Sequence, residues 1–440
     1  MAWVISVLVT LKDCVAQLGF DKTYWVAFSG GMDSHVLLML CHELRQTYPL
    51  KLNAIYINHG LNLCASEWAA HCKQVCESNQ INFIERTVKV DTTDGSSMEA
   101  VAREQRYGVF AEYIDKNNVL LTAHHQDDQA ETVLLQLARG AGLKGLAAMP
   151  MVKPFAGGQH ARPLLAFSRV QVERFATEHQ LQWVEDDSNT NTSMLRNFVR
   201  HDVIPLLKDR WPAMAATFSR SATHCAEAQV LLEEYAAEDC IKAVGSRERT
   251  LSIQTLLLFS PARVRQVLRM WIQSLGFPLP DTKKIAAIQQ DVFSAAWDRS
   301  PCVEWEGAEL RRYRDDLFLL TPVLAIDEGQ TVVWSLSEPL VLPGIGTLCA
   351  TPVKGQGLKA ELQYVSVRFR RGGESLCLPK RGRHTLKNLF QEWGVLPWLR
   401  DRIPLLYVDD QLAGVAGYRL GEAFSVQADE MGWEIGFTAF

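Results

Sequence analysis

No two cysteines in this chain stand in C-x-x-C spacing, although ten occur among its 440 residues. Dithiol redox motifs and four-cysteine zinc sites are built on such pairs, so neither is expected. The closest two, Cys72 and Cys76, are four apart in a helical pattern with no second pair nearby. Irregular spacing in a long chain points to reduced core residues rather than a disulfide framework. Long apolar runs are missing too. The longest, Met1 to Leu11, is too short to span a bilayer, and Lys12 and Asp13 follow it. A secretory signal opens with basic residues, whereas Lys12 comes behind the apolar run, so a cytoplasmic protein without a membrane partner is expected. The sequence contains no internal repeat and no low-complexity tract.

The chain does have the makings of several cores. Hydrophobic residues make up 48% and charged residues 22%, the composition of a folded globular protein. At roughly 150 residues per domain, its length is enough for two to four domains. Net charge is only −5, but it is segregated. Ser366 to Ile403 holds nine Lys or Arg against three Asp or Glu, so the remainder is distinctly acidic. One basic module on an acidic protein is the footprint of a surface that grips phosphates.

Strand and helix signals alternate through the first 140 residues. Tyr24 to Phe28 reads as a strand, and Val36, Leu37, Leu40, Cys41 and Leu44 fall at helical spacing behind it. Leu52 to Asn58, Asn82 to Val90 and Val119 to Ala123 read as further strands, with helices over Ser66 to Ser78, Met98 to Tyr113 and Asp127 to Ala138. This alternation predicts an α/β domain, a mostly parallel sheet with helices on both faces and its ligand at the carboxyl ends of the strands. Helices over Ser168 to His179 and Leu195 to Leu207 close it, with Ser168 as an N-cap. The expected limits are 1–212 for this catalytic domain, 213–340 for a mainly helical middle domain ending in a β hairpin across Asp315 and Asp316, and 341–440 for a small α+β C-terminal domain.

Ser29-Gly30-Gly31-Met32-Asp33-Ser34 lies where a strand gives way to a helix. Small residues there let backbone N–H groups wrap an anion at a helix N-terminus. The lysine and spacing of G-x-x-x-x-G-K-[ST] are absent, and so is G-x-G-x-x-G, which removes the kinase-type and dinucleotide classes. Ser29 and Ser34 offer hydroxyls to a pyrophosphate. Asp33 would repel it unless a divalent cation lies between them, so Asp33 implies Mg2+.

At this point the chain resembles the N-type ATP pyrophosphatase superfamily, the PP-loop enzymes, whose SGGxDS signature it carries intact. The resemblance implies cleavage of ATP between its α and β phosphates. Further stretches narrow it: Asn58-His59-Gly60-Leu61, Ala102 to Tyr107, His124 to Thr132, Arg162-Pro163-Leu164-Leu165, Asp186-Asp187-Ser188-Asn189, Arg196-Asn197, Leu386 to Gln391 and Arg402 to Leu405. As a set these are similar to the bacterial tRNA(Ile)-lysidine synthetase family over nearly the whole chain.

That likeness implies a ligase using ATP and Mg2+ that joins free L-lysine to the wobble cytidine of a CAU-anticodon tRNA(Ile), changing codon specificity from AUG to AUA. Ser29, Gly30, Gly31, Met32, Asp33 and Ser34 would then hold ATP, with His59 beside the nucleotide. Arg103 and Arg106, three apart on one helix, would face an anion. His124 or Asp128 would orient lysine or the base, and Arg196, with Arg200 on the same face, would meet phosphate or tRNA. Arg368, Arg370, Arg371, Lys380, Arg381, Arg383 and Lys387, interleaved with Phe369, Phe390 and Trp393, are assigned to tRNA docking. The alternatives are other PP-loop adenylating enzymes: a tRNA cytidine thiolase, against which the missing C-x-x-C speaks, or an ammonia-using amidoligase, which leaves the basic module without a use. The sequence leaves a homodimer open.

Overall fold

The computed structural model describes residues 2–60, 64–88, 98–186, 191–296, 299–322, 327 and 329–439. Met1, Leu61, Lys89, Val90, Asp187, Ser188 and Asn189 of the stretches above lie outside the described residues. The chain divides into two units, Met1–Leu232 and Glu233–Phe440.

In the first unit, α1 (Ala2–Leu18) precedes β1 (Thr23–Ala27), α2 (Met32–Thr47), β2 (Lys51–Asn58), α3 (Ala65–Ser78), β3 (Asn82–Thr87), α4 (Met98–Tyr113), β4 (Asn118–Leu121) and α5 (Gln126–Ala138). After a short α6 (Leu143–Leu146) come β5 (Val152–Phe155), β6 (Gly158–Ala161) and α7 (Arg169–Glu178). The chain continues through α8 (Leu195–Phe198), a π-helical turn, α9 (Ile204–Arg210) and α10 (Met214–Lys242).

The strands form one sheet in the order β3-β2-β1-β4-β6-β5, parallel except for the β5–β6 pair. Tyr24, Trp25 and Val26 of β1 are all buried, as a central strand covered on both faces requires. The α2 residues at helical spacing, Val36 to Leu44, are buried against it. The chain runs outward from β1 to β2 and β3, then returns to the other side as β4. Strand order therefore reverses between β1 and β4, and such a reversal opens a crevice at the carboxyl ends of these strands. Ser168 caps α7 as expected, accepting from the Gln171 N–H.

The second unit takes in the end of α10 and continues with β7 (Leu251–Ser252), α11 (Ile253–Leu256), α12 (Pro261–Ser274), α13 (Thr282–Ala287), β8 (Cys302–Trp305), β9 (Ala308–Tyr313) and β10 (Asp316–Leu320). The expected hairpin is β9–β10. Its turn residue Asp315 accepts from the Ser252 hydroxyl and the Gln254 N–H, tying the hairpin to the start of α11. Antiparallel strands follow: β11 (Thr331–Ser335), β12 (Leu340–Leu342), β13 (Gly346–Lys354), β14 (Leu358–Lys359), β15 (Tyr364–Arg368), β16 (Ser375–Leu378) and β17 (Gly382–Thr385). Then come α14 (Leu386–Glu392), β18 (Leu405–Val408), β19 (Gln411–Val415), β20 (Arg419–Leu420) and β21 (Met431–Ala439). β11 pairs with β15 in a five-stranded sheet, and β12 with β13 in a four-stranded one.

All ten cysteines are free, but only Cys14, Cys41, Cys72 and Cys76 are buried. Cys64, Cys302, Cys349 and Cys377 are exposed, which corrects the expectation that the cysteines are core residues. No helix among the described residues is long and apolar enough to cross a membrane.

Candidate active site

The crevice between β1 and β4 is a cleft of about 720 Å³, lined by the Ser29–Ser34 loop, the end of β2, one face of α4 and the segment after β4. The loop is held from within. Ser34 Oγ donates to the Gly31 carbonyl at 2.9 Å and accepts from the Ser29 N–H at 3.2 Å, while Ser29 Oγ lies 3.1 Å from Ser34 Oγ. Gly30 has φ +82°, and a Cβ there would stand 2.9 Å from both Cys72 Sγ and Val184 Cγ2. Both the turn and the space therefore demand glycine. Gly31 is the N-cap of α2, Met32 packs on the core below, and Asp33 stands in the first helical turn. Asp33 Oδ1 is buried with no hydrogen-bond partner among the described residues, which fits a carboxylate reserved for a cation.

His59 follows the end of β2. Arg106 Nε donates to His59 Nε2 at 3.2 Å. Burial, helped by Arg106, lowers the pKa of His59 to about 4, so the ring is neutral near pH 7. Arg103 lines the same wall, its guanidinium stacked 5.0 Å from the Tyr107 ring centroid.

Behind the loop lies a compact charge network. His125, only 1% exposed, places Nε2 3.7 Å from Asp33 and 3.5 Å from Asp128, with Nδ1 3.9 Å from Asp127. Burial opposes charging this ring, but the three carboxylates outweigh it and raise its pKa. Asp128 Oδ2 accepts from the His125 backbone N–H at 3.0 Å, and Asp127 accepts from the Arg169 N–H at the start of α7. Lys208 also pairs with Asp127.

Arg196 and Arg200 both reach back to α5. Arg196 donates to Glu131 at 2.8 Å and Asp128 at 3.2 Å, and Arg200 donates to Asp128 at 2.8 Å and to both Glu131 oxygens. Asp128 is pulled down to about 2 against its burial by His125, Arg196, His124 and Arg200. An arginine so engaged presents its remaining N–H groups to the cleft but is not a free phosphate ligand. This narrows the expected role of Arg196 and Arg200.

His124 lines the cleft, its Nδ1 2.8 Å from Thr122 Oγ1. Thr122 Oγ1 is also 2.8 Å from Nε2 of the fully buried His160, and His160 Nδ1 lies 3.3 Å from Arg162 NH2. Thr122, His125, Glu131 and His160 had no role in the sequence reading. Glu131 was within reach of it: two acids three apart on one helix match two arginines four apart on another.

Comparisons with known proteins point to one family. The PP-loop domain family matches residues 8–207, the TilS substrate binding domain 251–318, and the TilS substrate C-terminal domain 365–437. The tRNA(Ile)-lysidine synthase of Coxiella burnetii is 43% identical over 96% of this chain and 94% of its own. The chain belongs to the tRNA(Ile)-lysidine synthase family. The enzyme of the same name from Methylococcus capsulatus is 42% identical over 91% of this chain and 93% of its own, and that of Serratia proteamaculans is 41% identical over 95% and 96%.

The second unit of this tRNA(Ile)-lysidine synthase family member carries the seven cations assigned to docking, and they divide into two kinds. Arg368 pairs with Asp410, Arg370 with Asp401 and Arg381 with Glu392, while Arg371 donates to the Gly329 carbonyl. Lys380, Arg383 and Lys387 are exposed on the β16–β17 hairpin and the first turn of α14, with no carboxylate partner among the described residues. Phe369 and Phe390 are buried in two cores of this unit, so they do not interleave with the cations at the surface as the sequence suggested. Trp393 is half-buried and stacks on Tyr418 at 5.2 Å.

Proposed function

We propose that this chain catalyses ATP-dependent ligation of free L-lysine to carbon 2 of the wobble cytidine in a CAU-anticodon tRNA(Ile). The observation carrying the proposal is the cleft at the β1–β4 reversal, which the Ser29–Ser34 loop, Asp33 with its orphaned oxygen, and the cations Arg103 and Arg106 line together. In the first step the cytidine carbon-2 oxygen attacks the α phosphorus of ATP and diphosphate leaves. In the second the lysine ε-nitrogen attacks carbon 2, AMP departs with that oxygen, and a proton is lost from nitrogen. Adenylation is needed because a pyrimidine carbonyl oxygen is a poor leaving group.

The Ser29–Ser34 loop binds the β and γ phosphates through backbone N–H groups and hydroxyls, and Arg103 and Arg106 counter the charge developing near the α phosphate. Asp33 is the residue that would hold Mg2+, which when bound supplies positive charge against the triphosphate. Asp128, ionised well below neutral pH and held in place by Arg196 and Arg200, adds to the negative charge that would draw the lysine ammonium into the cleft. An anticodon loop presents its bases already single-stranded, so exposing the target is inexpensive. Lys380, Arg383 and Lys387 dock tRNA phosphates.

The test is tRNA-dependent incorporation of labelled lysine with Mg-ATP, followed by mild alkali. Alkali-stable label with stoichiometric AMP and diphosphate is the expected result. ATP cleavage without lysine incorporation overturns the lysine assignment and moves the acceptor to another nucleophile.

A further inference from the structure

Thr122 and His124 lie two apart beyond the end of β4, and His160 and Arg162 lie two apart at the end of β6. The strands are parallel with Leu120 beside His160, so alternate residues of both project on one face. The four side chains thus form a line across the sheet's carboxyl edge, and chemistry fixes the direction of each hydrogen bond in it.

Arginine only donates. Arg162, held by NH1 on the Pro150 carbonyl at 2.8 Å, therefore makes His160 Nδ1 an acceptor. A neutral His160 then carries its proton on Nε2 and donates to Thr122 Oγ1. A hydroxyl oxygen can accept twice, but the buried Thr122 proton would then be a donor without a partner, and the acceptor left to it among the described residues is His124 Nδ1. Both rings are neutral: burial, reinforced by Arg162, lowers His160 to about 2, and burial lowers His124 to about 3. With Nδ1 accepting, His124 keeps its proton on Nε2, which has no partner among the described residues, in a ring that lines the cleft.

We propose that Arg162, His160 and Thr122 form a one-way hydrogen-bond relay that holds His124 as an Nε2–H donor, so that His124 donates to an oxygen of the reacting pyrimidine or its adenylate and is barred from acting as the base. Arg162, His160 and Thr122 are positioning residues, because each acts through the next. The donor's target rests on the ligase reading above, whereas the relay does not.

The experiment is nitrogen NMR of the full chain labelled with 15N-histidine, at neutral pH and without substrates, with H124Q used to assign the ring among the eleven histidines. The wild type is expected to show His124 Nε2 as the protonated nitrogen and Nδ1 as the bare one. Thr122→Val should give a mixture of tautomers and lower kcat about tenfold with KM for ATP little changed, and Thr122→Ser should restore both. A wild-type His124 protonated on Nδ1, or a Thr122→Val spectrum identical to wild type, overturns the relay even if Thr122→Val folds poorly in other respects, since the wild-type spectrum decides alone. Because no substrate is present, this outcome is independent of the incorporation assay that tests lysine as the nucleophile.

Discussion

Arg196 and Arg200 meet Asp128 and Glu131 inside the cleft, where Glu131 is 1% exposed, whereas Arg368, Arg370 and Arg381 meet Asp410, Asp401 and Glu392 at the surface of the second unit. The pairing is the same chemistry, but the surroundings give it different work. A buried carboxylate with two guanidiniums cannot exchange partners without exposing an uncompensated charge, so it fixes the wall of a site. A surface pair sits in high dielectric, gains little from its geometry and can trade its carboxylate for a phosphate. Rigid charge therefore belongs to the first unit and exchangeable charge to the second.

The contrast can be broken most severely at Asp33. Asp33→Ala should lower ATP cleavage by about a thousandfold or more, measured as diphosphate release, while tRNA binding by filter retention stays near wild type. If turnover persists, the cation assignment is wrong. Glu131→Gln attacks the rigid network and should cost about 2–3 kcal/mol in urea unfolding of the first unit. That figure lies below the usual range because Arg196 and Arg200 are each 26% exposed and Asp128 still pairs with them. A loss no larger than that of a surface pair would show that the network is not rigid.

Acid should separate the two regions further. His59, His124 and His160 have folded pKa values of about 4, 3 and 2, all below the unfolded value near 6.5. Their contribution is complete above that value and is lost as pH falls toward the folded values, because the unfolded chain binds protons that the folded one refuses. His125 has the opposite sign: its raised pKa stabilises below the unfolded value, and that support is lost as pH rises through the folded one. Unfolding of the first unit at pH 5 should therefore take up at least about three protons, His35 and His42 adding to the uptake because burial lowers them as well, read from the slope of unfolding free energy against pH. Zero slope would mean that these rings titrate normally.

The smallest effects lie at the hairpin. Changing Lys380, Arg383 and Lys387 together to Gln should weaken tRNA binding about tenfold at physiological salt and reduce the salt slope by about two to three. Arg381→Gln alone should shift affinity within about twofold, since a phosphate taken by Arg381 only replaces Glu392 and the net gain of that exchange is small. Equal losses from both variants would erase the distinction between free and paired cations.

Much of the first unit was legible in the sequence because its signals are local. The Ser29–Ser34 loop lies between a strand and a helix, and Ser168 caps α7 three residues before Gln171. The relay was not legible: Thr122 and His160 are 38 residues apart and meet only because β4 and β6 are neighbours. In the basic window the cations were visible, but not their partners. Asp410 lies 42 residues from Arg368, and Asp401 lies 31 from Arg370. Phe369 and Phe390 misled for a related reason. An aromatic beside an arginine in sequence points to the opposite face in a strand or to the core side of a helix, so proximity along the chain did not predict a shared surface.

The Gly30 carbonyl accepts from the Val184 N–H at 3.0 Å, and just before Val184 the Gln182 carbonyl is gripped by His35 and His71 at 2.8 and 3.1 Å. The Ser29–Ser34 loop is thus strapped by a segment that arrives after α7, more than 150 residues later in the chain. In the proposed function it meets the triphosphate already ordered. Little entropy would then remain to be lost, so the affinity for ATP would be set by contacts rather than by the work of shaping the loop.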